Sequence, residues 1–146
     1  MKRIMITLIF LQTFITLTAP ADERFTIPMG EPLSVELNWH NIRKEIERLD
    51  IREPEILLLQ IRLETGGLTS RLCLECNNLT GMKKAVRRKT TAIGREKSMA
   101  VYETWQKSIE DYKLWQDYSY KGGDYWEFLH RVYATDIYYV SKLKRL

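Results

Sequence analysis

The chain has 146 residues, 23 of them basic and 19 acidic, which is enough for one compact domain and too few for two comfortable ones. Its net charge of +4 does not mark a nucleic-acid binder, because Lys2 and Arg3 belong to a leader-like start. Without those two residues, 21 basic side chains face 19 acidic ones.

Residues 4–17 carry no charge, and Ala19-Pro20-Ala21 offers the small side chains that a signal peptidase prefers. The apolar run is short for a bilayer span and is weakened by Gln12, Thr13 and Thr16. No cysteine lies near the cleavage point, which excludes a lipoprotein. The expectation is a signal peptide over 1–21, with a retained N-terminal anchor as the alternative. The mature chain then starts near Asp22, is exported to the periplasm or beyond, and has no stable membrane insertion.

Residues 22–53 read as an extended lead-in, broken by Pro28, Gly30 and Pro32, followed by a first helix. Asn38 or Asn41 caps that helix, which runs to about Leu49 with Ile42, Ile46 and Leu49 on one face. Residues 54–146 form the domain core. Pro54 opens a second helix that is apolar nearly all round, as befits the centre of a small domain. Gly66-Gly67 ends it, leaving Glu64 and Thr65 in its last turn.

Cys73 and Cys76 follow in a C-x-x-C spacing, outside the strand-to-helix context of a redox motif. His40 and His130 supply no zinc pattern, so a local disulfide or two half-buried thiols is expected, and no metal or other cofactor. Thr, Val and basic residues over 85–93, a turn over 94–98 and a strand-like 99–102 predict a β-hairpin. Lys83, Lys84, Arg87, Arg88 and Lys89 read as a solvated edge, or as a wall attracted to anionic polymers. Helices are predicted from Thr104 to about Tyr120, over 125–133 behind an Asp124 cap, and from Thr135 or Asp136 to the basic C-terminal turn. The fold class is therefore α+β, predominantly α, with a small β-hairpin lobe.

Glu64 is the chemically suggestive residue. A carboxyl at the end of an apolar helix meets free carbonyls and apolar walls, and both raise its pKa, as a proton donor near neutral pH requires. Gln60, one turn earlier on the same face, is placed to orient it. Physics alone leaves a solvated or salt-bridged acid as the ordinary reading.

Three blocks in order sharpen this. Leu63-Glu64-Thr65-Gly66-Gly67, Ser70 and Asn77-Asn78-Leu79-Thr80-Gly81-Met82-Lys83 form the first. Tyr102 with residues 105–112 forms the second, and residues 133–143, beginning Tyr133-Ala134-Thr135-Asp136, form the third. Together they resemble the glucosaminidases of glycoside hydrolase family 73. The resemblance implies a lysozyme-like helical domain that cuts peptidoglycan after N-acetylglucosamine, acting as a monomer on glycan strands. It places Glu64 as the general acid, Asn78 and Gly81 on the loop beside it, and Tyr133 on the cleft wall near the reacting sugar. Gln60 and Tyr102 join them as candidate substrate-binding residues, while Trp105, Tyr138 and Tyr139 are further rings suited to sugar faces.

Departures exist. Thr80 stands where the family has Phe, Gly67-Leu68 lacks the usual aromatic, and Lys89-Thr90-Thr91-Ala92-Ile93 lacks the acid many members carry on the hairpin. Glu96 and Glu103 are the nearest candidates for a second carboxylate; otherwise the substrate's acetamido group assists or activity is weak. A non-catalytic glycan-binding module on the same fold is the alternative reading.

Overall fold

The computed structural model describes residues 35–133 and 135–146; the expected signal peptide and most of the lead-in lie outside them. Helix α1 (Trp39–Arg48) starts at Asn38, whose side chain accepts the Asn41 N–H at 2.9 Å, and buries Ile42 and Ile46. Helix α2 (Pro54–Thr65) carries Pro54 in its first turn and ends on Gly66 at φ +58°.

Two cores meet on α2, which explains its all-round apolar surface. Leu57 and Ile61 face a core shared with Ile42, Ile46, Leu79 and Ile109. Ile56 joins a second core with Phe128, Leu129 and Leu143. Each fully buried aliphatic side chain contributes about 1.5–3 kcal/mol. The two cores thus hold the last turn of α2, and Glu64 with it, from both sides.

The C-x-x-C motif lies within a short helix that the sequence reading did not anticipate, α3 (Arg71–Cys76). Its cap is the Ser70 side chain, and Cys73 and Cys76 are buried free thiols. Burial pushes both thiols up, with Glu96 adding to the effect at Cys76, so both stay protonated and poorly nucleophilic.

The hairpin is real but shifted. Its strands are β1 (Gly94–Glu96) and β2 (Met99–Val101), antiparallel, with Glu96 opposite Met99. On its other side β2 is met by residues 82–84, through Ala100 N to the Met82 carbonyl at 2.9 Å and Lys84 N to the Ser98 carbonyl at 3.2 Å. Residues 85–93 are irregular rather than a strand, because their polar groups go elsewhere. Helix α4 (Trp105–Ser119) takes them: Thr91 Oγ1 donates to the Lys107 carbonyl at 2.6 Å, and Arg88 pairs with Asp111.

Helix α5 (Tyr125–Val132) is capped by Asp124, which accepts the Glu127 N–H at 2.8 Å. Helix α6 (Tyr139–Leu143) begins later than predicted. Asp136 accepts the Tyr138 N–H at 2.9 Å and so holds a turn where the helix was expected. Among the described residues the fold is predominantly α with one small antiparallel hairpin. No helix among them is long and apolar enough to cross a membrane.

Candidate active site

The α2 terminus, which carries Glu64, is locked by its neighbour. Thr65, fully buried, donates to the Ile61 carbonyl at 2.6 Å and accepts the Leu68 N–H at 2.8 Å. Glu64 is half-buried, and its Oε1 accepts the Tyr139 hydroxyl at 2.9 Å. Burial pushes its carboxyl above the usual value, and the Tyr139 bond partly opposes that shift.

The other carboxyl oxygen, Oε2, rests on Gly81. A Cβ there would stand 2.5 Å from Oε2, and the residue has φ +65°, so glycine is required twice over. Asn78 sets this close approach. Its side chain donates to the Met82 and Ala100 carbonyls at 2.9 Å and accepts the Met82 N–H at 3.2 Å. Asn78 is buried, and these three bonds tie the loop beside Glu64 to the hairpin.

Gln60 and Tyr102 are buried and internally bonded as well. Gln60 is fully buried between the Tyr112 and Tyr139 hydroxyls, at 2.6 and 3.2 Å, and reaches Glu64 only through Tyr139. Tyr102 is buried and donates to Asp111 Oδ2 at 2.8 Å, with its own pKa raised by burial and by that carboxylate.

Tyr133 is half-buried. Its hydroxyl donates to the Thr80 carbonyl, and its ring stacks on Tyr139 at 5.4 Å between centroids. Tyr133 and Gly81 line a groove of about 460 Å³ together with Trp115, Tyr118 and the segment 82–88. A larger groove of about 620 Å³ lies between α1 and α2, lined by residues such as Trp39, Arg43 and Leu58. The smaller groove is the better candidate, because its Gly81 wall touches Glu64 directly. Lys83, Lys84 and Arg87 add positive charge to it beside the rings.

Neither candidate second carboxylate is placed with Glu64 by its contacts. Glu96 is paired with Arg71 at the start of α3 and accepts the Cys76 thiol at 3.4 Å. Glu103 is exposed on the link between β2 and α4, where its carbonyl accepts from Asn77 at 3.1 Å. Among the described residues, no three His, Cys, Asp or Glu side chains gather as a metal site.

Sequence reasoning missed the buried hydroxyls and amides behind Glu64: Tyr112, Tyr125 and Gln116. The available signal was a glutamine within each of two otherwise inward-facing helical stripes. It also missed the Arg88–Asp111 pair at 2.7 Å, which removes one cation of the basic run from solvent.

A comparison with curated proteins finds no match. Among solved structures, the chain is similar to the catalytic domain of the autolysin Auto from Listeria monocytogenes. The TM-score is 0.49 and the identity 22%, over 73% of this chain and 76% of that one. A family model described as mannosyl-glycoprotein endo-beta-N-acetylglucosaminidase matches residues 39–146, a span that takes in α1 to α6, the hairpin and Glu64. With that span matched, and with three motif blocks in order inside it, the chain belongs to the glucosaminidases of glycoside hydrolase family 73.

Proposed function

We propose that this glycoside hydrolase cleaves peptidoglycan glycan after N-acetylglucosamine, with Glu64 as the general acid. The observation that carries the reading is the asymmetry of the Glu64 carboxyl. One oxygen is held by Tyr139, and the other rests on a bare glycine that lines an aromatic, basic groove. In that role the Glu64 O–H gives its proton to the glycosidic oxygen as the C1–O bond breaks. Water then adds at C1, and its proton restores the acid.

Tyr133, Tyr118 and Trp115 offer ring faces to the sugars, while Lys83, Lys84 and Arg87 suit the carboxylates that peptidoglycan carries on its lactyl and peptide substituents. The reaction takes place outside the cytoplasmic membrane, reached through the leader over 1–21, and needs no cofactor. With Glu96 bound to Arg71 and Cys76, and Glu103 exposed on the link between β2 and α4, the second group at the reacting carbon is the substrate's own acetamido oxygen or a water.

The same engagement of Glu96 favours a second reading, a glycan-binding module without turnover. Reducing-end release from purified peptidoglycan by wild type and Glu64→Gln separates the two. Release that vanishes in the variant supports the hydrolase and its acid. No release from either protein, with both pelleting with the wall, leaves the binding module.

A further inference from the structure

Behind Glu64 lies a buried chain of hydrogen bonds whose far end is backbone. The Arg52 N–H donates to Gln116 Oε1 at 2.8 Å, and Gln116 Nε2 donates to the Arg52 carbonyl at 2.8 Å. A backbone N–H only donates and a carbonyl only accepts, so the Gln116 amide cannot flip without losing both bonds. Its NH₂ therefore faces Tyr125, donating to that hydroxyl at 2.8 Å.

From there the direction is forced by proton counting. Tyr112 Oη lies 2.6 Å from Gln60 Oε1, and Gln60 Nε2 lies 3.2 Å from Tyr139 Oη. Tyr125 already accepts from Gln116, and its other side-chain hydrogen-bond contact among the described residues is Tyr112, at 2.8 Å. Tyr125 therefore donates there, and the Tyr112 proton goes on to Gln60, which must turn its oxygen to receive it. Tyr139 receives a proton from Gln60 and gives its own to Glu64 Oε1 at 2.9 Å. All five side chains are buried, at 5% exposure or less.

A reversed Gln60 amide would place its oxygen at Tyr139 and draw that hydroxyl proton away from Glu64. The orientation of an amide two bonds away from Glu64 thus decides what the carboxyl meets.

We propose that Gln116, Tyr125, Tyr112, Gln60 and Tyr139 are positioning residues. They form a one-way donor chain, anchored on the Arg52 backbone, that commits the Tyr139 proton to Glu64 Oε1 and leaves Oε2 as the oxygen bearing the transferable proton. The functional part rests on Glu64 being the acid. An oxygen that accepts a hydroxyl donor is the carbonyl-type oxygen of a neutral carboxyl, so its proton sits on the other one, over Gly81. Once that proton leaves, the Tyr139 bond becomes charge-assisted and strengthens, and the aligned bonds behind it strengthen too. The chain therefore favours the state reached after transfer without bringing a formal charge near the acid.

The test uses the mature protein with ¹³C-labelled glutamate. The Glu64 carboxyl titration is read by NMR without substrate, beside the pH profile of kcat/KM, for wild type, Tyr139→Phe and Tyr112→Phe. In Tyr139→Phe the Glu64 midpoint and the alkaline limb both move to higher pH, and kcat falls about tenfold with KM within about twofold. Tyr112→Phe, two bonds from Tyr139, moves both in the same direction by less. A purely structural role would lower activity at every pH and leave the midpoint in place.

Wild-type midpoints in both folded variants overturn the proposal; should Tyr112→Phe not fold, an unmoved midpoint in Tyr139→Phe overturns it alone. Shifted midpoints in a protein whose activity survives Glu64→Gln would remove the acid role from Glu64 and keep the donor chain, so the two failures are distinguishable.

Discussion

Asp111 and Tyr112 are neighbours on α4, yet they belong to two buried polar systems of opposite character. Asp111 is ionic: Arg88 meets it at 2.7 and 3.2 Å, and Tyr102 donates to it at 2.8 Å, which pins the irregular 85–93 segment to the helix. Tyr112 is neutral, one link in the row of hydroxyls and amides that ends at Glu64. One helical step, about 100°, separates the two faces. The difference matters chemically. A guanidinium beside Glu64 would hold it ionised, whereas neutral donors orient it and leave its proton available. Fixed charge meets the irregular backbone segment, and neutral hydrogen bonds meet the Glu64 carboxyl.

The sharpest way to break this contrast is at its acid. Glu64→Gln is expected to lower glycan release by about 10²–10⁴-fold, the usual worth of a general acid. The same change should stabilise the fold near neutral pH. Burial raises the Glu64 pKa above its ordinary 4.5, so the folded state binds that proton more tightly than the unfolded state does. Its contribution to folding is present below about pH 4.5 and lost as pH rises through the raised value. Thermal melts of wild type and variant should therefore coincide in acid and separate toward neutrality, with the variant higher. A variant that melts lower at every pH would contradict this.

At the ionic system, Asp111→Ala leaves the Arg88 guanidinium nearly buried and unpaired, at a cost of about 3–5 kcal/mol in urea unfolding. Replacing both partners together, as Arg88→Met with Asp111→Leu, should recover much of the loss. Tyr139→Phe, by contrast, leaves the neutral Gln60 amide and no charge unpaired, and should cost only about 1–3 kcal/mol in the same urea unfolding.

Gly81→Ala joins the two arguments. The added Cβ must displace the Glu64 carboxyl, and φ +65° adds about 1–2 kcal/mol of backbone strain. Turnover should fall at least about tenfold with KM little changed; an unchanged kcat would mean that Oε2 does not work from its place over Gly81.

Thr80→Val gives a smaller effect of opposite sign. Thr80 Oγ1 is a buried hydroxyl without a partner among the described residues, so its removal should raise stability by about 1 kcal/mol. Smallest is the pair Lys83→Ala with Lys84→Ala. KM on peptidoglycan should rise a few-fold at low salt and approach the wild-type value at high salt, where exposed charges are screened.

The sequence by itself determined most of what is local. The Pro54 start, the Gly66 stop, the Asn38 and Asp124 caps and the apolar periods are short-range physics, and they placed α1, α2, α4 and α5 to within a residue or two. The order of the motif blocks was enough to give the family that the matched span over residues 39–146 shows. It missed α3, because six residues carry too little period to separate from a loop, and it took 85–93 for a strand. In that segment Arg88 and Thr91 bond to α4, a partner no local pattern reveals.

The partners of the polar residues came only from the packing of distant elements. Gln60, Asn78 and Tyr102 carry groups that suit a sugar as well as they suit a neighbour. In the fold they are buried against Tyr112 and Tyr139, the 82–100 backbone and Asp111. A hydrogen-bonding side chain does not declare its partner in the sequence, because the partner is chosen by packing between elements distant along the chain.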